Sequence, residues 1–451
     1  MIDVSMIDYS TYFNGKKITV MGLGLLGRAL GDAKFLAEHG AKVIVTDLKT
    51  EMELESSVKE LRNFPNVTFH LGGHNLEDFR NRDFILKAAG VPIESAYVTE
   101  ARKNGVPIEM STSLFARFSP ATIIGITGTR GKSTVTHLLH EILKNGYKNG
   151  RVFIGGNVRG VSTLPLLPTT VAGDIVVMEL DSWQLQGFGE SKISPHLSIF
   201  TTFYPDHLNY YKNNPDQYLD DKFQIFKYQK PEDFLIVGDQ AAQLIAKRYA
   251  SEIKSKMIVA GLEDFPKDWQ IIIPGDHNKY DAAIAIIAAR TLGISEDIIK
   301  KTIAKWRGVP GRLELVSEKN GIKIYNDTTA TTPDATIVAL KALGRAKNII
   351  LIIGGSDKNL DMTGLLGLIP DYCKKLIILP GTGTDRIMKD IEAVNVEKVF
   401  TKNLEESVAE AVGDADKSDI ILFSPAFASF GYFKNEFDRG EQFMKFIGVI
   451  K

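Results

Sequence analysis

The sequence predicts an α/β protein built of three consecutive α/β domains. Short apolar runs alternate with longer amphipathic stretches along all 451 residues, the rhythm of strands and crossover helices in parallel sheets. Two glycine-rich turns, at residues 22–27 and 125–132, each follow an apolar run and open a helical pattern. A chain of this length is too long for one core and suits two or three domains of ordinary size.

Taken in order, residues 1–112 read as a Rossmann-like domain: KITVMGLG, a helical stretch to Gly40, KVIVTD, a polar helix, VTFHLG, DFILKAAG and PIEM. Residues 113–309 repeat the rhythm around a P-loop-type turn, with TIIGIT, DIVVMEL, HLSIFTT, DFLIVG and KMIVAG as strands. The helix DAAIAIIAARTLG follows and is expected to bury one long face. Residues 310–451 form a second Rossmann-like domain on IKIYND, NIILIIGG, KLIILPG and DIILFSP, each followed by a helical pattern.

Composition narrows the function classes. Lys and Arg (54) nearly balance Asp and Glu (55), a net charge of −1, so nothing electrostatic favours nucleic acid or a membrane surface. Any anion is therefore held locally. Cys373 is the single cysteine, which leaves no intrachain disulfide and no cysteine-based zinc site. No segment approaches the roughly 20 apolar residues of a membrane helix. The start, with Asp3 and Asp8, lacks the basic and apolar regions of a signal peptide. A cytoplasmic monomer without membrane insertion is expected.

In TIIGITGTRGKSTVTHLLH, Gly125, Gly128 and Gly131 let the backbone approach an anion, and Lys132 and Ser133 sit where a helix begins. The lysine of such a loop touches the β- and γ-phosphates of ATP, and the hydroxyl holds Mg²⁺. The strict G-x-x-x-x-G-K-[ST] pattern fails at Ile126, leaving the tighter T-G-T-x-G-K-S-T. Downstream, Glu179 ends an apolar strand, as a Mg²⁺-binding carboxylate would. His207 lies just past the next strand, within reach of a second metal or its water, while Lys222 taken singly reads as a solvated surface lysine. The first turn, Gly22-Leu23-Gly24-Leu25-Leu26-Gly27, has Asp47 about 20 residues on and fits a dinucleotide or another diphosphate. On that turn alone a nicotinamide-dependent oxidoreductase is open, but two phosphate sites suggest two phosphorylated ligands.

Together these residues resemble the Mur ligases, ATP-dependent amide-forming enzymes of peptidoglycan precursor synthesis, over essentially the whole chain. Thr127-Gly128-Thr129-Arg130-Gly131-Lys132-Ser133-Thr134 is similar to the family's phosphate loop. Gly156-Asn157, Glu179, Asp206-His207, Lys222, Gly275-Asp276-His277-Asn278 and Gly311-Arg312-Leu313-Glu314 fall in family order. So do Asn326-Asp327, Gly354-Gly355-Ser356-Asp357-Lys358 and Ser424-Pro425-Ala426. The first domain with its glycine turn and the ending SPAFASFGYFKNEFDRG resemble the members that add D-glutamate to UDP-N-acetylmuramoyl-L-alanine.

The resemblance implies that ATP is held by Gly128, Thr129, Gly131, Lys132, Ser133 and Thr134, with Asn278, Arg312 and Asp327. It implies two Mg²⁺ ions, one on Ser133 and Glu179, the other on His207 and Lys222, the lysine carrying CO₂ as a carbamate. Lys132, Glu179, His207 and Lys222 would form the catalytic set. The UDP-sugar would lie on Gly22, Gly24, Leu25, Gly27, Asp47, Leu48, Lys49, Gly90 and Asn157, and glutamate on Thr331, Lys358 and Ser429.

The chain departs from the family pattern at Arg130 for an asparagine, Thr329 for a lysine, Asp281 for an asparagine and Ala88-Ala89-Gly90 for Ser-Pro-Gly. Asn435-Glu436-Phe437 also inverts the usual Asn-Phe-Glu order. A related ligase adding L-glutamate or another amino acid therefore stays open, as does a non-catalytic nucleotide-binding relative.

Overall fold

Parallel pairing needs a crossover between strands, and the chain supplies one after nearly every apolar run. The computed structural model describes residues 9–24, 27–204, 206, 210–212, 214–344 and 346–448; Leu25 and His207, both expected at sites, lie outside the described residues. Three sheets result. The first holds β1 (Lys17–Met21), β2 (Lys42–Asp47), β3 (Val67–Leu71), β4 (Phe84–Lys87) and β5 (Ile108–Glu109), all parallel, in the order β3-β2-β1-β4-β5.

The second holds β6 (Thr122–Thr127), β7 (Val152–Gly156), β8 (Ile175–Glu179), β9 (Leu197–Phe200), β10 (Phe234–Gly238) and β11 (Lys256–Ala260), in the order β11-β10-β9-β6-β8-β7. In the third, β12 (Glu314–Lys319), β13 (Ile322–Asn326), β14 (Ile349–Ile353), β15 (Cys373–Ile378), β16 (Glu397–Phe400) and β17 (Ile420–Phe423) run β12-β13-β17-β14-β15-β16. Only the β12–β13 pair of that sheet is antiparallel.

The expected apolar runs all became strands, and three strands had no such run. β7, β12 and β16 are the ones added, and each stands at the edge of its sheet. An edge strand buries less of its surface, so VFIGG, ELVSEK and EKVF carry glycine or charge where a central strand would be apolar. The helix Asp276–Thr291 corrects a second expectation. Ala282, Ala283, Ile284, Ala285, Ile286, Ala288 and Ala289 are all fully buried, so the helix is covered on nearly every side rather than along one face. A segment with no charge between 282 and 289 has no polar face to leave in water.

The first two sheets share one compact unit, residues up to Pro266 with Asp281–Ile299; the third belongs to the other, Lys267–Tyr280 with Lys300–Lys451. In the first unit one core runs from Phe13, Leu36 and Val43 through Leu114, Phe115 and Phe118 to Val176, Met178 and Leu185, and a smaller cluster gathers Met21, Phe79, Ile85 and Val98. The middle three come from the helix Ser111–Phe118, whose apolar side chains at spacings of three and four join the two sheets. In the second unit alternate residues of β14 serve opposite faces. Ile349, Leu351 and Ile353 pack with Leu340 and Leu365, while Ile350 and Ile352 pack with Leu404 and Phe443.

Candidate nucleotide and substrate sites

At the carboxyl end of β6 the chain turns through Gly128, at φ +141°, where a Cβ would stand 2.0 Å from the Thr201 hydroxyl oxygen. Gly131, at φ +85°, caps the helix Lys132–Gly146, and a Cβ there would meet the Asp281 carboxylate at 2.3 Å. Only glycine fits either position. Gly125 does something else: it lies inside β6, where a Cβ would strike Pro195 at 2.5 Å, so it serves packing and not an anion. The residues after β9 brace the loop. Thr129 N–H donates to the Thr202 carbonyl (2.7 Å), Arg130 N–H to the Thr202 hydroxyl (2.9 Å), and the Thr201 hydroxyl to the Arg130 carbonyl (2.5 Å). The Arg130 backbone is thus held on both sides while the residue itself is exposed, and nothing in the structure explains its side chain.

Two lysines converge on this loop. Lys132 Nζ donates to the carbonyls of Gly128 (3.0 Å) and Thr129 (3.2 Å). Lys222 Nζ donates to the same Gly128 carbonyl (2.8 Å) and to the Thr127 hydroxyl (3.4 Å), and lies 4.7 Å from the centre of the Tyr218 ring. Lys222 is 1% exposed, which overturns its reading as a surface lysine. In the helix Pro215–Lys227 it falls on the same stripe as Tyr218, Leu219, Phe223 and Phe226, all buried. Burial and then the neighbouring Lys132 charge hold its amine well below the ordinary lysine range, against the pull of Asp181, Asp206 and Asp221.

β8 pairs with β6, which brings the buried Glu179 to the same end of the sheet as the loop. Asn157 Nδ2 reaches Glu179 Oε1 at 3.5 Å, and the Arg28 guanidinium donates to Asn157 Oδ1. A buried carboxylate at a strand tip and the hydroxyl of Ser133 are the hard oxygen donors that Mg²⁺ takes. Among the described residues no three His, Cys, Asp or Glu side chains cluster as a metal cage.

In the first sheet the strand order reverses between β1 and β4, the place where open α/β sheets bind ligands. A cavity of about 220 Å³ opens there, lined by Gly22, Gly24, Arg28, Lys87, Gly90 and Thr112 among others. Asp47, expected beside a ribose or base, is engaged with its own chain. Its Oδ2 accepts from Gly24 N–H (3.0 Å) and its Oδ1 from Lys49 N–H (2.9 Å), so it ties the glycine turn to β2, while Leu48 stands 70% exposed.

Asp32 also lines this cavity, is buried, and accepts from Leu164 N–H at 3.3 Å. Burial raises its pKa from 3.8 to about 7, against opposing contributions from Ser111, Leu164 and Arg28. The folded state therefore holds this proton more tightly than the unfolded chain, and stability is lost as pH climbs through that interval, by roughly 4 kcal/mol in all. Asp32→Asn removes that loss. Its Tm advantage over the parent is expected to grow steadily from pH 4 to pH 7, and parallel melting curves across that range would refute the assignment.

In the second unit, Asp327 follows β13 and is buried. Its Oδ1 accepts from Leu313 N–H (2.9 Å) and its Oδ2 from the Ser424 hydroxyl (2.7 Å); burial raises its pKa to about 7, with Arg312 opposing. Thr329, at the family's lysine position, donates its hydroxyl to the Gly311 carbonyl (3.0 Å). Asn278 donates to the Pro274 carbonyl (2.6 Å). Lys358 Nζ donates to the Thr331 hydroxyl (3.0 Å), and the buried Ser429 hydroxyl has no hydrogen-bond partner among the described residues.

Sequence reasoning missed Arg28, Asp32 and Lys87 as members of these surroundings, and it named Ser424 only within Ser424-Pro425-Ala426, without its bond to Asp327. Of the three missed, Lys87 alone carried a signal, a charge closing the apolar run FILK; the others are placed by contacts with distant segments.

The chain matches three family models: "Mur ligase MurD-like, N-terminal domain" over residues 16–109, "Mur ligase middle domain" over 126–289 and "Mur ligase, glutamate ligase domain" over 311–427. Among curated proteins, a UDP-N-acetylmuramoylalanine–D-glutamate ligase from Roseiflexus sp. (strain RS-1) is 35% identical, covering 96% of this chain and 98% of the relative. One of the same name from Borreliella afzelii (strain PKo) is 36% identical, covering 96% and 97%. A UDP-N-acetylmuramate–alanine ligase from Thermotoga maritima shares the fold at a TM-score of 0.60 with 18% identity, over 95% of this chain and 98% of that one. The chain belongs to the Mur ligase family.

Proposed function

We propose that this protein is an ATP-dependent ligase that joins D-glutamate to UDP-N-acetylmuramoyl-L-alanine in peptidoglycan precursor synthesis, releasing ADP and phosphate. Relatives of that name align with it nearly end to end. The geometric support is the convergence of Lys132 and Lys222 on one carbonyl of a phosphate loop that has Glu179 beside it. Family membership removes the oxidoreductase alternative.

In this reading the substrate's alanyl carboxylate attacks the γ-phosphorus of ATP, and the acyl phosphate formed is then attacked by the glutamate amine, with phosphate leaving. Lys132 and the loop amides stabilise the charge shifting onto the phosphates. Two Mg²⁺ ions, one held by Ser133 and Glu179 and the other by His207 and carbamylated Lys222, would neutralise phosphate charge. The fit for a carbamate is chemical: only the neutral amine of a lysine adds to CO₂, and burial beside Lys132 favours that form. The carbamate's negative charge would then face the Lys132 ammonium. Arg312, Asp327 and Asn278 contact the nucleotide. Gly22, Gly24, Gly27, Asp47, Leu48, Lys49, Gly90 and Asn157 take the UDP-sugar, and Leu25 joins them.

For glutamate, the unpartnered buried Ser429 hydroxyl and the Lys358–Thr331 pair are the donors its carboxylates need. A second reading, addition of L-glutamate or another amino acid, rests on the departures from the family pattern at Thr329 and Asn435-Glu436-Phe437. The enzyme acts as a monomer in the cytoplasm, with domains dividing near residues 112 and 310. No helix among the described residues is long and apolar enough to cross a membrane.

The test is ADP release on mixing the protein with ATP, Mg²⁺, bicarbonate, UDP-N-acetylmuramoyl-L-alanine and either glutamate enantiomer. Turnover with D-glutamate alone is expected. Turnover with L-glutamate alone would move the assignment to the second reading, and none with either would end both.

A further inference from the structure

We propose that Lys87 is a positioning residue that turns the loop amides of Ala89 and Gly90 toward the diphosphate of the nucleotide sugar; this rests on that ligand occupying the cavity between β1 and β4. Lys87 is the last residue of β4 and is 2% exposed. Its Nζ donates to three carbonyls of the loop that follows: Val91 (2.8 Å), Ala88 (3.2 Å) and Ala89 (3.3 Å). No carboxylate among the described residues comes within ion-pair distance of it. A buried ammonium without a counter-ion is expensive, and here its hydrogen bonds are spent on holding one loop in shape.

The consequence follows from peptide geometry. In a trans peptide the C=O and the N–H of the same unit point in opposite directions. The Ala88 carbonyl shares its unit with Ala89 N–H, and the Ala89 carbonyl shares its unit with Gly90 N–H. With both carbonyls drawn onto Lys87, both N–H groups point away from it. Ala88 N–H is taken by the Met21 carbonyl (2.9 Å) and Val91 N–H by the Ala88 carbonyl (3.1 Å), but those of Ala89 and Gly90 donate to no acceptor among the described residues. Both residues line the cavity. Two successive free amides backed by a cation form an anion-binding nest.

The nest is placed against the glycine turn. A Cβ on Gly22 would stand 2.9 Å from the Ala88 Cβ, so the loop after β4 touches the turn after β1, and Arg28 lines the same cavity. Lys87 closes the strand just before Ala88-Ala89-Gly90, so a chain without Ser-Pro at those positions orders the loop from behind. Burial lowers the Lys87 pKa to about 8; Asp181 and Asp221 are the acidic groups that face it and Arg102 the basic one.

Lys87→Met keeps the length of the side chain and removes the donor. The KM for UDP-N-acetylmuramoyl-L-alanine is expected to rise roughly 10- to 100-fold. kcat and the KM values for ATP and glutamate should stay near those of the parent. An unchanged KM for the nucleotide sugar overturns the proposal, and so does a general loss touching all three substrates, which is what a merely structural lysine would produce. If the variant does not fold, the parent decides: its KM for the nucleotide sugar should climb as pH passes about 8 while that for ATP does not, and a flat profile overturns the proposal. If the parent turns over no UDP-N-acetylmuramoyl-L-alanine, the substrate reading falls and UDP becomes the probe. Calorimetry showing UDP bound more weakly by Lys87→Met still supports the role of Lys87, whereas equal affinity, or no binding to the parent, ends it.

Discussion

Lys222→Ala is expected to lower kcat by about 10²- to 10³-fold, and acetate or formate added to the assay should return part of the loss. The parent side chain is fully enclosed and shares the Gly128 carbonyl with Lys132, so its ammonium form sets a second cation, itself shielded from solvent, beside the first. Carbamylation relieves that conflict by turning one cation into an anion. A small carboxylate diffusing into the space left by alanine would supply the same charge. Rescue is the informative outcome, because a lysine needed only for packing leaves nothing for acetate to replace. Stripping bicarbonate and CO₂ from the parent enzyme should lower its activity too, and insensitivity to both treatments would remove the carbamate from the mechanism.

Lys132→Met should cost about 10³-fold in kcat with little change in the KM for the nucleotide sugar. Its ammonium is bonded to the loop carbonyls of Gly128 and Thr129, at the glycine turn where the proposed function puts the phosphates of ATP. A second effect separates it from a simple loss of nucleotide binding. The Lys132 charge is one of the two causes that lower the Lys222 pKa, so without it that pKa moves up and the neutral amine becomes scarcer at pH 7. Half-activation should therefore require more bicarbonate in Lys132→Met than in the parent, and the requirement should ease as pH rises. An unaltered bicarbonate dependence would show that the two lysines act separately. The two substitutions are close enough to couple, so their combined effect should fall short of the product of the single ones.

Much of the architecture could be read in advance because it is written locally. Apolar runs of strand length, separated by stretches long enough for a helix, have few solutions other than parallel sheets, and each central strand formed where such a run occurs. Three of the six edge strands, β7, β12 and β16, escaped because an edge needs less apolar surface: EKVF looks like nothing in particular until β15 pairs with it. The helix Asp276–Thr291 showed its apolar character but not that it would be enclosed on nearly every side.

The same division holds at the sites. Glycine spacing determined both glycine-rich turns, because positive φ and close backbone approach are demands that only glycine meets, and the order of Glu179, Lys222, Asp327 and Lys358 along the chain pointed to the family. Tertiary structure alone decided which charges are buried and what they face. Gly125 resembled a third cradle glycine until Pro195 was seen against it, and Lys222 resembled a surface lysine until its helix was packed. Asp327 meets Ser424, and Lys87 lines a cavity opposite Gly22, through crossovers that bring distant strands side by side. The chemistry of a titratable group depends on its dielectric surroundings and neighbouring charges, and those are contributed by segments far away in sequence.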